Sequence, residues 1–587
     1  MSAVTAVSAQ DSNVTKNHQQ ELERIQVLVR ANVLDLAETL LEEGGPEMEP
    51  SKLWRRWQRQ LWKLYSVRGK WQELYDSAAA VPRDFPQSIR KEALLHSLDA
   101  LLALERAKDT RILSREYLLS TELDEVFKQE IRKRVVESYL VEGLEQDARI
   151  AMRQFQQDYR SQDPDWLVLS ARVQLQSGNA DEAVNTLAPL TEPESRILQL
   201  FARLKNGSIK PEAAIDRALE IRNSASENGF PAAILAVLIE AYRKAGKLYP
   251  VVEVLEEYIQ LPEVRSYRFK YILPEFAVTD LMEAYTAVAI DQGNRFGMLV
   301  GEELSWLTHA NSVKSSATIT RRSLFAYIAS QSSRSAISQL SRDSLINILL
   351  DIERPGIIER LFGEQSPLGP LRVSGSTGLR LSNYALEQGL IQLAADANES
   401  LLQLPPGMDR REWLLHSARL SIIAGRYEAG AESLMEWITS FDALEPDQTD
   451  QVLQPVFDLQ TVGQHEIALP LLIEIDSKSP GKRHRRELSY WIAESLIGTD
   501  QYLRAADYFL FSAMLENDGF DQWGESARFN AADALLEAGM IDDAKTLFED
   551  LLRRAQEDNR KIALQQKLQQ LWLRESEANT LDSESSN

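Results

Sequence analysis

Cysteine is absent from these 587 residues. That excludes disulfides, thiolate metal sites and cysteine nucleophiles. It is compatible with an oxidising compartment without requiring one. Histidine is nearly as scarce: His18, His96, His309, His416, His465 and His484 are scattered, and no two share the spacing of metal ligands. Long apolar runs are missing too, so no membrane span is expected. Positive charge is in short supply, with 65 Lys and Arg against 88 Asp and Glu and a net charge of −23. A surface of that sign repels phosphate at long range, so nucleic acid is not an expected partner.

Chemical motifs are lacking as well. SGSTG spaces its glycines three apart, where a nucleophile elbow needs four. The Gly-Lys of SPGKR has Asp476 where a phosphate-binding loop needs its upstream glycine. Acidic pairs are so common here that none stands out as an acid/base couple. No catalytic, cofactor-binding or metal residue is assigned, and the chain is not expected to be an enzyme. A solenoid-type hydrolase is the remaining catalytic alternative.

What the sequence does have is one helical pattern after another. Apolar residues recur at three- and four-residue spacing between short Gly, Asn and Pro breaks. Hydrophobic residues make up 44% and charged residues 26%, enough apolar content for a real core. The stretches WLVLSARVQLQSGNADEAVNTLAPL, WLLHSARLSIIAGRYEAGAESLMEW and ESARFNAADALLEAGMIDDAKTLFEDLL share one grammar. A small residue (Ala171, Ala418) precedes a Gly (Gly178, Gly425) by seven. Ala follows Gly by five at Gly143/Ala148, Gly178/Ala183, Gly389/Ala394, Gly463/Ala468 and Gly539/Ala544. Pro follows Gly by seventeen at Gly69/Pro86, Gly389/Pro406 and Gly463/Pro480. The marker advances by 36, 38, 37 and 39 residues from Gly389 through Gly425, Gly463 and Asp500 to Gly539. Glycine ends a first helix in the left-handed conformation, the small residue lets a second helix approach, and proline stops that helix. One such hairpin cannot bury its apolar face alone, so the hairpins must stack.

This pattern resembles the tetratricopeptide repeat. The resemblance is clear at 163–190, 232–259, 411–440 and 486–552, weak at 21–42, 52–86, 129–158 and 278–303, and lost near 311–382. It implies an all-α, right-handed α-solenoid of stacked helix-turn-helix repeats with a concave groove. Roughly fifteen units of about 34 residues would fit. It also implies a protein partner in the groove, met by residues of the first helices. Carried over unit by unit, these are Arg419, Ile422, Phe457, Tyr490, Glu494, Phe529 and Asp533.

The expected organisation is a disordered leader at 1–20, a first solenoid at 21–310 and an interruption at 311–382, made of irregular Ser-rich helices and then a Gly/Pro-rich loop. A second solenoid follows at 383–573, then a disordered acidic tail at 574–587. Two basic stretches interrupt the acidic background. KLWRRWQRQLWKLYSVRGKW (52–71) holds four of the eleven tryptophans and seven Lys/Arg with no acid. Trp54, Arg55, Arg56, Trp57 and Arg59 form either a partner site or a core stripe with solvated arginines. KRHRR (482–486) reads as a solvated loop between repeats, with an anionic partner as the alternative.

The opening residues SAVTAVSAQ resemble the end of a secretory signal peptide, with Val7 and Ala9 at the small-residue positions before Gln10. Together these readings predict a non-catalytic scaffold in the bacterial periplasm. It would bind one or more proteins of a secretion, polymer-export or wall-assembly system. A cytosolic adaptor is the alternative.

Overall fold

The computed structural model describes residues 18–119, 124–224, 230–261, 267–479, 481–515, 521–555 and 557–585, with side chains as far as Leu571. Nearly every described element is an α-helix. The one extended pairing among these residues is an isolated parallel bridge between Val373 and Leu401. No described helix is long and apolar enough to cross a membrane.

The helices pair into hairpins, and one kind of turn makes most of the pairs. A residue in the left-handed region ends the first helix, and the next residue's N–H reaches back to the carbonyl five positions earlier. Examples are Asn179 to Gln174 at 2.8 Å, Arg426 to Ser421 at 2.8 Å, Gln464 to Leu459 at 2.9 Å and Met540 to Leu535 at 2.9 Å. This bond satisfies a carbonyl that the helix end would otherwise leave unpaired. The turn residue is glycine at Gly143, Gly178, Gly389, Gly425, Gly463 and Gly539, with φ between 72° and 81°. It is not glycine at Asn32, Glu105, Glu353 and Asp500, where φ is 58° or 59°. The backbone bond is the same there: Arg354 to Leu349 is 2.9 Å and Gln501 to Leu496 is 2.8 Å.

Glu353 changes the reading of the stretch where the sequence pattern is lost. Helices Ser335–Asp351 and Pro355–Leu361 flank it as an ordinary hairpin, and the next turn, at Gly389, follows at the usual interval. The small residue expected seven before the turn is a buried isoleucine, Ile346, before Glu353, and a buried serine, Ser382, before Gly389. The true irregularity is the segment 362–374. SGSTG does not lie in that loop, as expected, but opens helix Gly375–Glu387. A Cβ on Gly375 would lie 2.4 Å from the Leu404 carbonyl oxygen, and one on Gly378 2.1 Å from Leu401 Cδ2. Those glycines are present because another segment lies against the start of the helix.

The position five residues after the turn is buried at each of the turns named above. Ala148, Ala183, Ala394, Ala468, Ala505 and Ala544 are all fully buried. Gly430 replaces alanine because a Cβ there would meet Ile422 Cγ1 at 2.7 Å.

The chain divides into two compact units. The first takes the residues up to Glu302 together with His309–Tyr327, and the second takes Glu303–Thr308 with Ile328 onward. Within each unit the contacts run between neighbouring helices and to the helix after next, as stacked hairpins require. In the second unit one apolar core is continuous from Leu414 to Leu571. In the first, a buried ion pair ties two distant helices: Arg322 donates to Glu256 at 2.5 and 2.9 Å, and the Tyr285 hydroxyl donates to the same carboxylate at 2.7 Å. Arg322 lies in the segment expected to interrupt the array, and it belongs to the first unit, beyond the expected boundary at 310.

Of the expected disordered leader at 1–20, residues 1–17 lie outside the described residues, the signal-peptide-like stretch 1–9 among them, and residues 18–20 are helical. At the other end, helix Asp558–Ser585 runs through 574–585, where a disordered tail was expected.

Two predictions follow from the turns and the buried pair. Gly463→Ala should lower the unfolding free energy by about 1 kcal/mol, and Glu353→Gly should raise it by up to about 1 kcal/mol, because the first puts a side chain at positive φ and the second removes one. Arg322→Met should cost about 3–5 kcal/mol, while Arg322→Met combined with Glu256→Leu should recover much of that loss. Both are read from denaturant unfolding curves.

Candidate functional site

In the second unit, over the four hairpins that turn at Gly425, Gly463, Asp500 and Gly539, the residue six before the turn residue occupies an equivalent place on each first helix. These residues are Arg419, Phe457, Glu494 and Asp533, on helices Arg410–Ile423, Pro446–Thr461, Lys482–Gly498 and Gln522–Glu537. Each reaches the following first helix, and together they form a ladder. Arg419 donates to the Gln451 carbonyl at 3.2 Å. The Phe457 ring lies 4.7 Å from that of Trp491. Glu494 accepts from Asn530 Nδ2 at 3.2 Å. Asp533 accepts from Lys567 Nζ at 2.6 Å.

Tyr490 and Phe529 sit one helical turn before Glu494 and Asp533 and share their face. The Tyr490 hydroxyl accepts from Asn530 at 2.9 Å, and its ring lies between 4.9 and 5.4 Å from Trp523, Phe509 and Trp491. Phe529 packs edge-on to Phe548 at 5.5 Å, with Lys567 over its ring at 5.8 Å. Phe457, Tyr490, Glu494, Phe529 and Asp533 are half-buried, and Arg419 is exposed. Burial pushes the Glu494 carboxyl above its ordinary value, and burial with the nearby Glu494 charge does the same to the Tyr490 phenol.

Ile422 does not belong to this row. It is buried in the core because it leans into the space left by Gly430. Its neighbour Ile423 is the exposed residue. Sequence reasoning missed Trp491 and Asn530. Both lie nine residues before a turn residue and receive the contact from the preceding repeat, a pairing that only the stacking register reveals.

The basic stretch at 52–71 resolves differently. Trp54 and Trp57 are buried, which removes them from any surface patch. Trp54 packs against Phe85 at 5.3 Å, and Trp57 Nε1 donates to the Leu41 carbonyl at 2.9 Å. Arg55 and Arg59 both pair with Glu92, the former at 3.1 Å. Arg68 and Lys70 both pair with Glu38. Arg56 remains exposed. The missing acids are supplied by neighbouring helices, so the stretch is a folded repeat with neutralised flanks.

KRHRR is not a loop but the first turns of helix Lys482–Gly498. Arg486 is buried, donating to the Ser512 carbonyl at 3.1 Å and pairing with Asp521. His484 lies 3.2 Å from Asp450.

Trp54→Ala should therefore destabilise the protein by about 3–5 kcal/mol, and Arg56→Ala should change stability by less than about 0.5 kcal/mol. Thermal denaturation of the two variants checks the contrast.

No family model and no curated protein sequence matches this chain. Solved structures that align over nearly its whole length include the APC/C hetero-tetramer Cut9–Hcn1, at 10% identity, covering 93% of this chain and 95% of that one with a TM-score of 0.26. Yeast Tom70 aligns at 12% identity, with 96% of each chain covered and a TM-score of 0.21. Naa15/Naa10 bound to HypK-THB aligns at 12% identity, covering 98% and 94% with a TM-score of 0.22. Superpositions this loose carry no argument about function. The tetratricopeptide-like character of the chain rests on its own repeating hairpin, with its left-handed turn, buried small residue and constant register.

Proposed function

We propose that this chain is a non-catalytic scaffold that recruits protein partners along the first-helix row of its second unit. One observation carries the reading. The row repeats in strict register, and from Phe457 to Asp533 it presents half-buried aromatic and acidic side chains beside the buried core. Rings held in place by packing lose little entropy when a partner covers them, and aromatic residues are enriched among binding hot spots. An extended or helical segment laid along equivalent positions of successive repeats would meet Arg419, Phe457, Glu494 and Asp533 in turn.

We further infer a bacterial periplasmic setting, in a secretion, polymer-export or wall-assembly system. The support for it is the small-residue run ending at Val7 and Ala9. A cytosolic adaptor would use the same row.

Two measurements test these readings. A photo-cross-linking residue in place of exposed Gln454, beside the row, should capture a defined partner, while the same probe in place of exposed Glu549 on a second helix should not. Equal capture at both positions would contradict the row as the binding face. Cell fractionation with sequencing of the mature N-terminus should find a periplasmic chain beginning at Gln10. A cytosolic chain beginning at Met1 or Ser2 would favour the adaptor.

A further inference from the structure

Glu494 differs from the other carboxylates around it. Asp533, in the next repeat, holds Lys567 at 2.6 Å. Asp521 holds Arg486, and Glu525 has Arg560 at 3.4 Å. Glu494 has no Lys or Arg partner among the described residues. Its neighbours are the amide of Asn530, the phenol of Tyr490 and the imidazole of His465. The first two are neutral hydrogen-bonding groups. Burial raises the Glu494 pKa, and the hydrogen bonds from Tyr490 and Asn530 offset this only in part. Nothing in the hairpin requires a charge at this place, because the equivalent residue is phenylalanine one repeat earlier.

The surroundings fit a cation from outside. Tyr490 and Trp491, four and three residues before Glu494, put two rings on the same side of the helix, and Phe457 lies 4.7 Å beyond Trp491. Rings flanking a carboxylate attract a planar cation twice, by stacking on the ring faces and by a forked hydrogen bond to the oxygens. A guanidinium meets both conditions better than an ammonium, being planar and more weakly hydrated.

We propose that Glu494, framed by Tyr490 and Trp491, is the counter-ion for an arginine side chain of a protein segment laid across the first-helix row. The proposal rests on the row being the partner-binding face, and it adds the partner's chemistry: a basic segment with an arginine in register with this repeat. The chain's net charge of −23 would steer such a segment toward it.

The test uses the full-length protein and two synthetic probes, Ac-Leu-Arg-Leu-NH2 and its citrulline counterpart, which keeps the shape and removes the charge. Binding is followed by tryptophan fluorescence. The arginine probe should bind saturably, about tenfold or more tighter than the citrulline probe. Glu494→Gln, which keeps a hydrogen-bonding group of the same length, should abolish that difference, and Glu494→Asp should retain part of it. Equal affinity for the two probes, an unchanged difference in Glu494→Gln, or no saturable binding would overturn the proposal. The wild-type comparison decides even if the glutamine variant misfolds. Any of those failures combined with partner capture at Gln454 removes the arginine and leaves the scaffold. Loss of capture at Gln454 while Glu549 captures the partner removes both.

Discussion

Most of the hairpins depend on a single backbone hydrogen bond that needs a residue in the left-handed region. The bond from the residue after the turn to the carbonyl five positions back sets the angle at which the second helix leaves the first. That angle brings the small residue five positions on into the shared core, where Ala148, Ala394 and Ala544 are fully buried. Once two helices are fixed in this way, a free apolar face remains on each side, and the neighbouring hairpin covers it. The continuous core from Leu414 to Leu571 is the result. The turn therefore sets both the repeat length and the register of everything on the first helices.

How much of this could be read from the sequence depended on whether the turn residue was glycine. At Gly178, Gly425 and Gly539 the conformation and the residue type point the same way. Glu105 and Glu353 take the same φ with a residue that gives no signal. The region around 335–361 therefore looked like an interruption when it holds an ordinary hairpin. Ile346 and Ser382 in place of alanine hid the packing positions as well. The basic stretches misled for a related reason. The acids that neutralise Arg55 and Arg68 come from other helices, Glu92 and Glu38, and no local window shows them together.

Most of the candidate row was legible because position relative to the turn is conserved by geometry. Arg419, Phe457, Tyr490, Glu494, Phe529 and Asp533 all lie where the register puts them. Ile422 failed because Gly430 opens a gap that the side chain fills. Sequence could not supply the other half of each contact. Trp491 and Asn530 become part of the row only when one repeat is stacked on the next. That Glu494 has no Lys or Arg partner among the described residues shows only beside Asp533, Asp521 and Glu525, whose bases come from other positions in the stack.

The central claim is that glycine and non-glycine turns close the same bond. Amide hydrogen exchange resolved to single residues tests it most directly. The account predicts that the amides of Arg354 and Gln501, after Glu353 and Asp500, exchange as slowly as those of Arg426, Gln464 and Met540, after glycines. Exchange at Arg354 and Gln501 near the rate of an open chain would mean that these turns are not closed by the shared bond, and that the repeat does not run through them.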